Sequence, residues 1–295
     1  MIDGIIIKAL SGFYYVQTAD GLVACKARGK FRLDGTSPLV GDRVSLTRES
    51  DGSGRIDAVC ERKNFFIRPA VANIDALVFV AANANPVTDP FLIDRVAVIA
   101  HEVGCELIVC VNKVDLDTGD ELYRIFTSAG YRVFRTSAET GEGTDALLDA
   151  MRGKVCAFTG NSGVGKSSIL NVLLPEAAIP TNIVSEHLGR GKHTTRHVEL
   201  YPLGDDTYIA DTPGFASFEI SMMQAIKKEQ LQFDFPEFAP YLGKCRFTDC
   251  AHLKEPDCAV RRALDEGKID ASRYASYVRL YDLTSKQKPW EIKDN

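Results

Sequence analysis

The sequence has no apolar run long enough to cross a bilayer, which takes about 20 residues. Its longest runs, "IDALVFVAA" and "ELIVCV", have the length of buried strands. The opening "MIDGIIIKALSG" shows neither a charged leader nor a cleavage site. No signal peptide and no membrane partner are therefore expected, and a cytoplasmic location follows as the default. Internal repeats and low-complexity segments are missing too. Net positive charge is also lacking: the formal charge is −5, which taken as a whole argues against a polyanionic partner. That charge is unevenly spread. Residues 1–68 hold 11 Lys/Arg against 8 Asp/Glu and residues 241–295 hold 11 against 9, while residues 69–240 hold 13 against 23. If any part meets nucleic acid it is the ends; ordinary solvated faces account for the charge equally well.

The chain has 295 residues, 45% hydrophobic and 25% charged, a globular composition with length for a core and about two domains. Of its 8 cysteines, Cys25, Cys60, Cys105, Cys110 and Cys156 are scattered through apolar, strand-like runs. They read as buried free thiols in a reducing compartment.

The first sixty residues read as short strands separated by turn signals: "GIIIKAL", "FYYVQTAD", "LVACKARG", "DRVSLTRE" and "GRIDAVC". Strands this short and regular predict a small barrel, with an OB-type barrel over 1–68 the natural candidate. Such barrels often bind RNA, and the basic stretch Lys26, Arg28, Lys30, Arg32 would suit that use. A boundary falls in "RPAVANIDA", after which apolar strand runs alternate with helical periodicity. That alternation predicts an α/β domain over 69–219, a parallel sheet with helices on both faces. Residues 220–295 carry a Cys/His cluster followed by two helix-like segments.

Gly160-Asn161-Ser162-Gly163-Val164-Gly165-Lys166-Ser167 fits the phosphate-loop pattern, leaving one strand and entering a helix, with Ser168 beside it. Backbone N–H groups of such a loop close around phosphates at a helix N-terminus. Lys166 would bridge the β- and γ-phosphates and Ser167 would ligate Mg²⁺. "DTPG" (Asp211 to Gly214) ends another strand, where Asp211 can hold Mg²⁺ and the Gly214 N–H can meet the γ-phosphate. Alone it would be a turn; after a phosphate loop it carries weight. "NKVD" offers Asp115 as a double acceptor for guanine N1–H and N2–H₂, Asn112 as a brace and the Lys113 stem as a cover. Ser137-Ala138 would complete the pocket with an N–H to O6. By itself NKVD could be a surface turn.

The order NKVD, SA, GNSGVGKS, DTPG is unusual, because the base-reading loop precedes the phosphate loop. Each motif ends an apparent strand, and in a doubly wound sheet those ends converge on one crevice whatever the chain order. Close chain termini allow a compact domain to be joined there and opened elsewhere. The domain therefore reads as circularly permuted.

This order, with its flanking pieces, resembles the circularly permuted ribosome small-subunit-dependent GTPases, the ribosome biogenesis GTPase A family. The resemblance spans essentially the whole chain and implies a GTP hydrolase acting late in maturation of the small (30S) subunit. It implies turnover stimulated by that subunit, binding of GTP, GDP and 16S rRNA, and a monomer. "GRGKHTT" (Gly189 to Thr195) is similar to the family's first switch loop, with Thr194 or Thr195 as a Mg²⁺ ligand. Phe215 follows the switch glycine where many small GTPases carry a water-orienting Gln, and the family is also apolar there. His193 is the candidate for the missing catalytic group; a phosphate or RNA contact is its competing role.

"CRFTDCAHLKEPDC" places Cys245, Cys250, His252 and Cys258 within fourteen residues, a closed donor set for one structural Zn²⁺. The spacing matches the resembled family. His101, His187 and His197 read as ordinary polar residues. Two rivals stand beside the GTPase reading. One is a GTP-gated RNA-binding scaffold in which hydrolysis is incidental. The other is a P-loop kinase, which NKVD and the want of a second substrate site oppose.

Overall fold

Apolar residues alternate along the first strands, and the alternation rolls them into a barrel. The computed structural model describes residues 2–29, 31, 37–67, 69–175, 198–211 and 226–286. Strands β1 (Ile2–Leu10), β2 (Phe13–Thr18), β3 (Gly21–Ala27), β4 (Arg43–Arg48) and β5 (Gly54–Val59) run in the order β1-β2-β3-β5-β4. β4 pairs back onto β1 and closes the cylinder, with β3 and β5 its one parallel pair. Closure leaves no free edge and turns Ile6, Val16, Val23, Cys25, Leu46 and Ile56 inward. A short hairpin, β6 (Phe65–Ile67) with β7 (Ala70–Ala72), follows. It braces the barrel: Ala72 N–H donates to the Val40 carbonyl at 2.8 Å and Asn73 Nδ2 to the Gly41 carbonyl at 3.0 Å.

The next strands are β8 (Ala76–Ala82), β9 (Glu106–Asn112), β10 (Arg132–Arg135), β11 (Val155–Thr159), β12 (Glu199–Gly204) and β13 (Thr207–Asp211). They lie in the order β10-β9-β8-β11-β13-β12, parallel except for the antiparallel β12–β13 pair. β8, β9 and β11 are apolar on both faces, as strands covered from both sides must be. Leu77, Phe79, Val109 and Ala157 face one core with helices α1 (Pro90–Glu102) and α2 (Asp120–Ser128). Val78, Val80, Ile108 and Phe158 face the other with α3 (Thr144–Met151) and α4 (Lys166–Leu173). Asp89 caps α1, its carboxylate accepting from Phe91 N–H, with Pro90 preset for the first turn.

β1 also pairs with β12 at Lys8 and Glu199, so barrel and parallel sheet share one eleven-stranded ladder among the described residues. The C-terminal region is built from 3₁₀ turns at Leu231–Phe233 and Pro236–Tyr241, then α5 (Ala259–Asp265) and α6 (Ala271–Ser285). Phe235, Phe238 and Tyr277 fill its core and join the first of the two sheet-face cores. No helix among the described residues is long and apolar enough to cross a membrane.

One cysteine departs from expectation. Cys25, Cys105, Cys110 and Cys156 are buried, but Cys60 is exposed. It shares sequence parity with the core residue Ile56, but the β4–β5 pairing slips by one residue between Ile56 and Ala58, so Ala58 and Cys60 turn outward while Val59, opposite buried Val44, packs against the core.

Candidate nucleotide crevice and metal centre

The parallel strands deliver three of the predicted segments to one end of the sheet. β9 ends at Asn112, β10 runs into Thr136-Ser137-Ala138, and β11 ends at Thr159 before the phosphate loop. Asn112 is the hub where they meet, a side chain only 1% exposed. Its Nδ2 donates to the Val164 carbonyl at 2.9 Å, and its Oδ1 accepts from Ala138 N–H at 3.1 Å and Thr136 Oγ1 at 3.4 Å. One amide thus ties the base-reading loop to the phosphate loop and to the Ser137-Ala138 turn.

Lys113, at φ 66°, sends Nζ over the crevice to the Gly163 carbonyl at 2.7 Å and to the Asn85 carbonyl. Asp115 is exposed, with Oδ1 accepting from the Ser137 hydroxyl at 2.5 Å. That bond aims the carboxylate while leaving acceptor capacity for a ligand with two donors. In the phosphate loop Lys166 Nζ donates to the Gly160 and Asn161 carbonyls at 2.7 and 2.5 Å, so its charge lies across the loop's mouth. Two glycines are fixed by space. A Cβ at Gly160 (φ 129°) would strike the Val80 carbonyl oxygen, and one at Gly165 (φ 96°) would strike Asn112 Nδ2. Ser162 and Ser168 are exposed, and Ser167 begins α4 beside Lys166.

β13 is parallel to β11 and ends at Asp211, so Asp211 reaches the same edge of the sheet as the phosphate loop. His193, Thr194, Thr195, Gly214 and Phe215 lie outside the described residues, as do His187, His197, Lys30 and Arg32. Two contributors escaped the sequence reading. Thr136 braces Asn112, and the Asn83–Val87 loop after β8 roofs the crevice, Asn85 holding Lys113 and Asn83 Nδ2 donating to Asp117 Oδ1 at 2.8 Å. The turn-rich "NANP" at a strand end was the loop's only signal.

In the C-terminal region Cys245, Cys250, His252 and Cys258 bring their ligand atoms within 4.8 Å of one another, a set that can hold a metal ion. His252 Nδ1 lies 3.6 Å from Cys245 Sγ and 3.4 Å from Cys258 Sγ, and the two sulfurs are 3.9 Å apart. A tetrahedron with Zn–S and Zn–N bonds of ordinary length has edges of about 3.6–3.8 Å, close to these three distances. Backbone N–H groups of Ala259 and Arg261 point at Cys245 Sγ and Cys258 Sγ at 3.3 and 3.5 Å, donors suited to thiolates. Burial, then the Cys258 and Cys245 thiols, push Cys250 up to about 12 against the pull of the His252 N–H. Burial raises Cys258 likewise and lowers His252. A dication reverses that preference by taking thiolates directly.

The sequence pattern of the RsgA GTPase family matches residues 59–221, and that of the RsgA N-terminal domain matches residues 3–56. The chain belongs to the RsgA GTPase family. It is 44% identical to the small ribosomal subunit biogenesis GTPase RsgA of Caldanaerobacter subterraneus over 95% of this chain and 94% of that protein. Identity with the RsgA of Halalkalibacterium halodurans is 43%, over 97% and 98% of the two chains. The fold is similar to that of YjeQ from Thermotoga maritima, with a TM-score of 0.82 at 35% identity over 97% and 99% of the two chains. It is similar also to YloQ, described as a circularly permuted GTPase, with a TM-score of 0.81 over 98% and 97%. The chain is accordingly an RsgA-family GTP hydrolase with an N-terminal five-stranded barrel and a circularly permuted GTPase fold.

Proposed function

We propose that this protein hydrolyses GTP to GDP and phosphate during late maturation of the small (30S) ribosomal subunit, and that the subunit stimulates its turnover. The observation that carries this reading is the Asn112 hub with Lys113, which joins a guanine-type loop to a phosphate loop in one crevice. Asp115 reads the N1–H and N2–H₂ edge of guanine, the Ala138 turn faces O6, and the Lys113 stem covers the base. Backbone of Gly160, Asn161, Ser162, Gly163, Val164 and Gly165 wraps the phosphates, with Ser168 at the rim. Lys166 moves its charge from the loop carbonyls onto the β- and γ-phosphates, beside the leaving oxygen that takes the electron pair as the terminal phosphoryl group departs. Ser167, Asp211 and Thr194 or Thr195 would hold Mg²⁺, which would supply charge neutralisation at the phosphates, and Gly214 N–H would meet the γ-phosphate. His193 positions the attacking water on docking.

The Cys245, Cys250, His252, Cys258 set holds one structural zinc ion, a reading supported by its sulfur-rich, closed donors. Division into a barrel (1–68), a permuted GTPase domain (69–219) and a zinc-binding helical domain (220–295) follows, in a cytoplasmic monomer. Contact with 16S rRNA falls to the end regions. In support, Lys26 Nζ stands 5.0 Å from the centre of the half-exposed Phe13 ring, a cation-and-aromatic pairing suited to bases and phosphates.

The test is steady-state GTP turnover with and without purified small subunits, repeated with XTP on Asp115→Asn. Subunit-stimulated GTP turnover in the wild type and a shift toward XTP in the variant are expected. Equal turnover with and without subunits would favour a GTP-gated scaffold instead. His193→Ala is expected to keep binding both GTP and the subunit while losing about 10²–10⁴-fold of stimulated turnover. Full stimulation would remove His193 from the mechanism.

A further inference from the structure

Behind the ring of His252 lies a residue from a different part of the chain. His252 is 2% exposed, and its Nδ1 faces the Cys245 and Cys258 sulfurs. Its other nitrogen, Nε2, lies 2.9 Å from Gln232 Oε1. The Gln232 amide cannot turn over freely, because its own Nε2 donates to the Glu229 carbonyl at 3.1 Å. The amide therefore offers oxygen, an acceptor, to the ring. An imidazole that binds a cation through Nδ1 carries its proton on Nε2 and needs an acceptor there. The two orientations agree. The ring is further held edge-on by Phe238, with centroids 6.3 Å apart, and its loop is pinned by Tyr274 and Tyr277 hydroxyls donating to the His252 and Ala251 carbonyls at 2.7 and 2.8 Å.

Gln232 sits in the 3₁₀ turn Leu231–Phe233, between the permuted GTPase sheet and the cysteine cluster in chain order. Leu231 beside it is fully buried, and Asp234 two residues on pairs with His101 at the end of α1. The turn is thus anchored to the GTPase side by Asp234 and to the cysteine cluster by Gln232.

We infer that Gln232 is the positioning residue of the metal centre: it fixes His252 for coordination through Nδ1 and ties the segment leaving the GTPase sheet to the bound ion. The inference rests on the zinc reading given above. Outer partners of this kind are typically worth about 10–100-fold in metal affinity. Among the described residues Gln232 touches no part of the nucleotide crevice, so its effect belongs to the metal and not to hydrolysis.

The experiment is chelator competition on full-length protein, wild type against Gln232→Ala and Gln232→Glu. Gln232→Ala should bind one zinc but yield it at about 10–100-fold lower chelator concentration. Gln232→Glu restores an acceptor and should hold zinc at least as well as the wild type, and basal GTP turnover should match throughout. A parallel measurement, ¹⁵N-histidine spectra of the wild type, should show Nδ1 bound and Nε2 protonated. Equal zinc retention in Gln232→Ala, or coordination through Nε2, would overturn the inference alone. A wild type that holds no zinc would overturn the metal reading and this inference with it.

Discussion

The GTPase sheet is joined to its two neighbours in opposite ways. At the barrel side the connection is backbone: β1 pairs with β12 at one register point, and Lys8 reaches Glu199 at 2.9 Å with both side chains about a third exposed. At the C-terminal side it is a buried charge. Arg273 on α6 is 1% exposed and meets Asp94 of α1 at 2.5 Å and Glu237 at 2.7 Å. Phe235, Tyr131 and Phe126 surround its guanidinium, with Phe235 nearest at 4.6 Å from the ring centre. Burial opposes the charge on Arg273, yet Asp94, Tyr131 and Glu237 outweigh it and hold its pKa above the ordinary value. An exposed pair contributes little and can be remade in water, whereas breaking a dry one strands its partners. The barrel side is joined by a partly exposed pair, whereas the C-terminal region is locked to the sheet by a buried one.

The lock should fail most completely when the proposed zinc goes. Cys250→Ala removes one of four donors from a region whose folding should be coupled to that ion. Metal analysis should fall from one zinc per chain to none, and hydrogen exchange over 231–285 should accelerate while the barrel keeps its protection. Unaltered exchange across that region would mean the lock stands without the ion. Next in size, Arg273→Ala leaves two buried carboxylates unpaired and should cost about 3–5 kcal/mol in chemical denaturation. A loss below about 1 kcal/mol would erase the contrast with the barrel side.

A smaller effect is expected from pH. Burial, then Glu102, push Asp234 up to about 8, and His101 Nδ1 faces it at 2.7 Å from α1. An unfolded Asp titrates near about 3.9, so the folded state keeps a proton that the unfolded state loses over the interval between. Its contribution is complete below pH about 4 and disappears as pH rises through 8. Asp234→Asn should flatten the fall in denaturation midpoint between pH 5 and pH 8; an unchanged slope would assign it to other groups. Smallest of all, Lys8→Ala should cost about 0–1 kcal/mol and less at high salt. A larger loss would make the barrel side a lock as well.

The contrast was only half legible in the sequence. Strand parity and βαβ alternation foretold the barrel and the parallel sheet, because both report on periodic burial that local sequence must encode. The permuted order was legible because each motif carries its own strand end. The buried Arg273 was not, since arginine is by default exposed and its partners come from residues 94, 131 and 237 of the chain. Asn112 was expected as a brace, but its reach to Val164 and Ala138 needed the sheet to be assembled. Cys60 was misread because the one-residue slip in the β4–β5 pairing inverts the parity after Ile56, and nothing in the local sequence announces it.

The strand order also sets a timetable for synthesis. Within the GTPase sheet β8 leaves the ribosome first, then β9 and β10 add outward on one side of it; β11, β12 and β13 fill the other side afterwards. By Arg135 the base-reading half has every strand it will own, each beside its predecessor. Lys166 follows roughly 2–6 s later at about 5–20 residues per second. During that interval the free edge of β8 is the template on which β11, and with it the phosphate loop, must register. A nascent chain stalled between these points would hold half a nucleotide pocket, able to meet a base before it can meet a phosphate.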